Sequence, residues 1–208
     1  LAFPIDLTAA LTGTSVSQLQ RWRSGGLAVP EISGKNPAMY SFRDLVAIRT
    51  IAYMRRDISL QKIRKAFKNL DVLDFTEHPS SYRFGTDGNT IGVEDEFKQV
   101  VDLVKNPGQT NFFSMAEVFS SFTNASGSQV VDFMRPRRHL QVDPRRMGGW
   151  PTIEGTRVTY DTVASLVDGE TITTDDVDYY FPAVSSAAAR DAISFSDQVA
   201  HIGRKKAV

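Results

Sequence analysis

The chain contains no cysteine, which removes disulfide bridges, thiol nucleophiles and thiolate metal sites in one step. Long apolar runs are missing too. None approaches the roughly 20 residues a helix needs to cross a bilayer, and the first residues carry no charged, then apolar, then small leader pattern. Histidine is scarce, and His78, His139 and His201 have no second ligand at metal spacing along the sequence. No G-x-S-x-G elbow, phosphate-binding glycine loop or dinucleotide fingerprint occurs. These absences leave no constellation for acid–base, nucleophilic or metal catalysis. The expectation is a protein that is not an enzyme, with no metal and no cofactor, in a reducing, cytoplasmic setting away from membranes.

What is present has ordinary globular composition: 208 residues, 41% hydrophobic and 23% charged. That length buries a real core and divides naturally into two or three small units. The formal net charge of zero hides an uneven distribution. Residues 1–70 carry eleven Lys/Arg against four acids, a net +7, whereas residues 71–130 carry three bases against nine acids, a net −6. The remainder is close to balanced. A basic third is what a phosphate-binding surface needs, because each neutralised phosphate releases counterions; solvated helix faces are the bland alternative.

Element signals are clearest in the basic third. Residues 5–12 read as a short helix stopped by Gly13. Ser15 is a good N-cap for a second helix, in which Val16, Leu19 and Trp22 share one inward face. Gly25-Gly26 ends that helix, and the proline-rich stretch to Tyr40 reads as a strand-turn-strand excursion. Ser41 with Asp44 forms an S-x-x-D signal for a third helix running to about Arg56. Ser59 opens a fourth, with Leu60, Ile63, Phe67 and Leu70 inward.

The middle changes character. Tyr82 and Phe84, then Asp87-Gly88, then Ile91 and Val93 spell a hairpin. A further strand is expected over 100–104, halted by Asn106-Pro107-Gly108, and a short helix around Met115, Val118, Phe119 and Phe122. The polar run 122–129 reads as a linker. Beyond it come a basic, proline-punctuated segment, a small hairpin at Ile153 and Val158, and three short helices at 161–167, 174–180 and 185–199. The expected fold is therefore α+β and mainly helical. It comprises a winged helix-turn-helix over 1–70, a strand-rich middle over 71–128 and a small C-terminal helical domain with a short hairpin over 129–208.

The outward residues of the second helix are Ser17, Gln18, Gln20, Arg21 and, at the rim, Arg23. Glutamine can pair bidentately with adenine and arginine with guanine, so this is a chemically sensible groove-facing set. Acids elsewhere have structural readings: Asp175, Asp176 and Asp178 open a helix, where the dipole favours them. The aromatics Tyr82, Phe84, Phe97, Phe112 and Phe113 either line a pocket or form core, and core is the simpler reading.

Two resemblances add to this. The strings F-P-I-D-L-T-A-A-L-T-G-T-S-V-S-Q-L-Q-R-W, G-L-A-V-P, Y-S-F-R-D-L and I-S-L-Q-K-I resemble, in order, the DNA-binding domain of the MerR family. That resemblance implies Ser17, Gln18, Gln20 and Arg21 on a recognition helix, Lys35 on the wing, Arg43 at the start of the next helix, and double-stranded DNA as partner. Two positions depart from the pattern: Ala38 replaces the usual wing arginine, and Arg21-Trp22 replaces an aromatic pair. The run G-G-W-P-T-I-E-G-T-R-V, then F-P-A-V and A-A-A-R-D-A-I, is similar to a homeodomain-like three-helix domain common beside bacterial toxin genes. The combination resembles VapB-type antitoxins, which implies a PIN-domain ribonuclease toxin as partner, autorepression of the promoter and a homodimer. Read physically, Ser185, Ser186 and Arg190 of the last helix offer a second DNA surface, with a helical dimerisation or packing unit as the equal alternative, and Arg204 or Lys205 is expected to contact the toxin. The alternative is a ligand-sensing MerR-like transcription regulator, although the long dimerising helix usual after such a domain is missing from the sequence.

Overall fold

In the computed structural model, which describes residues 2–73, 75–95, 97–104 and 113–204, the architecture is α+β and mainly helical. Strand β1 (Phe3–Pro4) leads directly into α1 (Ile5–Thr12). Gly13 then takes φ 73°, the left-handed conformation that closes a helix and costs any other residue strain. A side chain there is excluded twice over, since a Cβ would lie only 2.3 Å from Val130 Cγ2. After this turn comes α2 (Val16–Ser24), begun by a reciprocal capping box between Ser15 and Gln18. Val16, Leu19 and Trp22 are its buried face.

The excursion after α2 is less regular than its sequence implies. Only β2 (Met39–Tyr40) is a strand, and it pairs antiparallel with β1 through Phe3 and Tyr40, while Ser33 and Met39 make an isolated bridge. Two prolines and three glycines between residues 25 and 37 remove ladder donors and stiffness from the loop. A second capping box, Ser41 with Asp44, starts α3 (Phe42–Met54), which ends two residues before the expected boundary. The next helix, α4 (Leu60–Val72), buries Ile63, Ala66 and Leu70.

The middle is a three-stranded antiparallel meander of β3 (Phe84–Thr86), β4 (Ile91–Glu94) and β5 (Val100–Asp102). Its first turn is held by Asp87, whose carboxylate accepts the N–H groups of Asn89 and Thr90 at 2.8 Å each. The Phe84 ring stacks on Phe67 of α4 at 5.3 Å, and Tyr82 meets both Phe75 and Phe84 edge-on. Phe113 is buried against Tyr53. These aromatics are core, Phe97 is exposed, and Phe112 and the Asn106-Pro107-Gly108 stop lie outside the described residues.

The main correction concerns residues 122–129, read from sequence as a linker. Following α5 (Met115–Phe119), they form a hairpin of β6 (Phe122–Thr123) and β7 (Gln129–Val130) that packs on the helix-turn-helix. Polarity misled there: the tip is polar because it is exposed, while Phe122 and Val130 are buried against Ala52.

The C-terminal region pairs β8 (Leu140–Gln141) with β9 (Thr152–Ile153) and adds α6 (Tyr160–Leu166), α7 (Val177–Tyr180) and α8 (Ser186–Arg204). Small residues Ala188, Ala189 and Ala192 are buried on α8, which packs against α6 and also against α1. The carboxyl-terminal helix thus braces the first helix of the chain.

One buried cation ties these parts together. Arg49 of α3 is fully buried and donates to five backbone carbonyls: Leu11, Val118, Phe119, Ser120 and Val131, at 2.5 to 3.0 Å. Its guanidinium lies 5.1 and 5.4 Å from the ring centres of Phe122 and Phe133. Burial pulls its pKa down to about 10, with Asp132 opposing the shift, so it is still charged at neutral pH. A residue counted with the basic surface is in fact an internal brace joining α1, α5 and the segment just after the hairpin.

Candidate nucleic-acid interface

The local geometry of α2 decides what its outward residues can do. Ser17 and Arg21 are exposed one turn apart, and the Arg21 Nε–H donates to the Ser17 carbonyl at 3.3 Å. Gln20 is half-buried. Gln18 is half-buried as well, and its side-chain oxygen accepts the Ser15 N–H at 2.8 Å. A glutamine in that capping box cannot offer both amide groups to a ligand, whereas the side chains of Gln20 and Arg21 are not held in the box. Arg23 donates to the Lys35 carbonyl at 3.5 Å, linking the end of α2 to the loop that carries the exposed Lys35.

Arg43 is placed differently from the rest. Its guanidinium meets Glu31 at 2.6 Å, and the other oxygen of that carboxylate accepts the Ser41 hydroxyl. An arginine so paired has less charge to spend on a phosphate than Arg21 or Lys35. Farther along the chain, Ser185 caps the start of α8 through the Ala188 N–H, Ser186 is half-buried and Arg190 is exposed. Arg204 is the last residue of α8, and Lys205 lies outside the described residues.

No carboxylate occurs between Asp6 and Glu31, so α2 and its flanks carry no repulsive charge of their own. Two adjoining depressions border the helix. One, of about 460 Å³, runs between Ser15, Ser17 and Arg21 on α2, the hairpin residues Asn124, Ser126 and Gln129, and Gln198 of α8. The other, of about 290 Å³, is lined by Gln18, Arg21, Trp22, Arg55, Leu60 and Arg64. Sequence reading missed Arg55 and Arg64 as neighbours of α2, because only the packing of α3 and α4 brings them there.

A second cluster was invisible in the sequence because its members are 13 and 34 residues apart. Glu31, Asp44 and His78 each bring one oxygen or nitrogen within 4.8 Å of the others, a spacing that would admit a divalent cation. Every one of those groups already has a protein partner. Asp44 takes the N–H groups of Glu31 and Ser41 at 3.0 and 2.8 Å on one oxygen and meets His78 Nε2 at 3.3 Å on the other. His78 Nδ1 accepts the Ser80 N–H at 3.2 Å, which leaves Nε2 as the protonated nitrogen that donates to Asp44. Burial alone would raise the Asp44 pKa, but the His78 bond and those from Ser41 and Glu31 outweigh it and hold the carboxylate below its ordinary value. The cluster fastens the excursion and the segment after α4 to the start of α3. His139 is likewise paired, with Asp191 at 2.8 Å.

Two short helices with a tight left-handed turn, an irregular wing closed by one strand pair, and two further helices on a basic surface are the parts of a winged helix-turn-helix. Residues 3–70 match the profile of the MerR HTH family regulatory proteins. The amino-terminal domain is therefore a MerR-type helix-turn-helix. Residues 140–196 match a second profile, described as a protein of unknown function, DUF433. Among solved structures, the crystal structure of Rv2018 from Mycobacterium tuberculosis is similar over 92% of this chain and 96% of that one, with a TM-score of 0.51 and 15% identity. At that identity the likeness concerns the fold alone. No curated protein matches the chain. Among the described residues no helix is long and apolar enough to cross a membrane.

Proposed function

We propose that this protein is a DNA-binding transcription regulator that lays α2 along the major groove of its operator. Gln20 and Arg21 read base edges, while Ser17, Arg23 and Lys35 contact the sugar–phosphate backbone. The observation that carries this reading is the exposed, carboxylate-free face of α2 within a MerR-type domain. Helix-turn-helix proteins commonly read paired half-sites as symmetric dimers, so the operator is expected to be a near-palindrome bound by a homodimer. The test is a binding titration on duplex from upstream of the gene. Tight binding that weakens steeply with salt supports the reading, and no binding even at low salt overturns it. Tyr82, Phe84 and Phe113 pack against other aromatic rings, so they offer no support for an effector pocket there.

A second reading, an antitoxin that also neutralises a PIN-domain ribonuclease toxin, draws on the other end of the chain. Between Arg157 and Arg190 there is no basic residue and there are six acids, Asp161, Asp168, Glu170, Asp175, Asp176 and Asp178. In that stretch Tyr179 is 84% exposed and Tyr180 47% exposed. Exposed tyrosines in an acidic setting suit a basic protein surface and repel DNA. Co-purification with the product of an adjacent ribonuclease gene would support this reading, and failure of the chain to inhibit that ribonuclease would end it. A chain cut before Arg204 that still inhibits fully would dispose of the role of Arg204 and Lys205.

A further inference from the structure

We infer that the β6–β7 hairpin is a second wing, holding one strand of the DNA backbone against the amino-terminal turn of α2. The inference rests on the reading of α2 as the base-contacting helix and extends it to a segment outside the MerR-type domain. Its first support is attachment. Asn124 donates to the Gly13 carbonyl at 2.9 Å, and Val130 fills the space that a side chain on Gly13 would need. The hairpin is thereby fixed to the very turn that aims α2.

Its second support is the organisation of the tip. Asn124 Oδ1 accepts the N–H groups of Ser126 and Ser128 at 3.1 and 3.0 Å and the Ser126 hydroxyl at 2.9 Å. Residues 125–129 are all exposed, so this ordering serves no burial. The third support is chemistry. The tip reads A-S-G-S-Q, and no acid lies between Glu117 and Asp132. The turn itself uses the Asn124 side chain, the Ser126 hydroxyl proton and the Ser126, Gly127 and Ser128 N–H groups, so the donors turned outward are the Ser128 hydroxyl and the Gln129 amide, uncharged phosphate ligands of a common kind. Across the 460 Å³ cleft these residues face Ser15, Ser17 and Arg21, which leaves a trough walled on one side by α2 and on the other by the hairpin. A tip already fixed before binding loses little entropy when it meets its ligand.

The experiment uses the full chain with two duplexes of equal length, one from upstream of its gene and one unrelated, across a salt series. Ser126→Glu and Ser128→Glu should each weaken binding at least about tenfold on both duplexes, because a phosphate contact carries no sequence information. Ser126→Lys should tighten both and steepen the salt dependence by about one counterion. Arg21→Ala should weaken the upstream duplex selectively. If the three hairpin variants stay within about twofold of the parent while Arg21→Ala loses affinity, the hairpin is off the DNA and α2 remains the reader. If the parent itself binds neither duplex at low salt, the DNA reading fails and the hairpin inference with it.

Discussion

Residues 7–30 and residues 158–189 are opposites in charge. The first stretch has Arg21 and Arg23 and no carboxylate, whereas the second has six carboxylates and no lysine, arginine or histidine. They also differ in support. The first is braced by α8 along α1, by the β6–β7 hairpin at the turn, and by Arg49 beneath. The second holds α6, packed on α8, then α7, four residues long with a tyrosine pair turned to solvent, and runs into the first turn of α8. A net charge of zero therefore describes neither end. On the proposed reading a phosphate strand is drawn to the first stretch, and Ser185, Ser186 and Arg190, proposed as a second DNA surface, follow the acidic stretch along the chain.

The largest expected effect tests the bracing. Arg49→Met keeps an apolar stem among Phe122 and Phe133 but takes the guanidinium donors away from five carbonyls, of which that of Phe119 keeps the Phe133 N–H. The loss should be roughly 3–5 kcal/mol, since a buried carbonyl left without a donor costs about 1–3 kcal/mol and more than one is affected. Arg49→Lys should recover only part of it, since one ammonium cannot span the carbonyls that a planar fork reaches. Denaturant unfolding gives the total. Hydrogen exchange sharpens the comparison: amides of residues 118–131 should lose protection before those of α6 and α8. Uniform loss across both stretches would erase the distinction drawn between them.

Next in size is the contact chemistry of α2. Arg21→Ala should cost about 1–3 kcal/mol in operator binding, about five- to 150-fold, if the arginine makes a bidentate base contact. Stability should change by less than about 0.5 kcal/mol, because Arg21 is exposed. Gln18→Ala should show the reverse pattern, with a loss of about 1 kcal/mol in stability through the broken capping box.

That reversal marks where sequence reading stops. The helices of the first 70 residues were legible because their signals are local. Gly13, Ser15 and the Ser41–Asp44 pair announce ends and starts, and Val16, Leu19 and Trp22 declare a face by spacing alone. Whether Gln18 faces a base or its own helix start depends on a rotamer, which spacing does not determine. Arg49 looks like any other helical arginine until α5 and the residues flanking the hairpin arrive some 69 to 82 positions later to offer their carbonyls. The hairpin itself was hidden by its composition: small polar residues mark both a slack linker and an ordered exposed turn. Only contacts distant along the chain separate the two.

The Asp44 network predicts a smaller, pH-dependent effect. Hydrogen bonds from His78, Ser41 and Glu31 hold the folded carboxylate below its ordinary pKa of 3.8, against the opposing pull of burial. Its stabilisation is complete above the unfolded value near 3.8 and disappears as pH falls through the lower folded value. Asp44→Asn should therefore be about 1 kcal/mol less stable than the parent at neutral pH and should lose less on acidification below pH 4. Thermal melts from pH 7 to pH 2.5 would check this, and parallel curves would mean that other carboxylates set the acid limb.

The smallest effect is expected at the acidic end, and it decides what that end is for. Tyr179 and Tyr180 touch each other edge-on at 5.3 Å and are largely open to solvent. Replacing both with serine should shift stability by less than about 0.5 kcal/mol, as surface changes do, and should leave operator binding within about twofold. An exposed aromatic pair in an acidic stretch suits a surface that a partner covers. The same double variant should then lose affinity for a basic protein partner, read by co-purification or by release of its ribonuclease activity. If the variant instead unfolds early, the pair belongs to the core of α7; if it weakens DNA binding as much as Arg21→Ala does, the two stretches act on one ligand and the contrast between them fails.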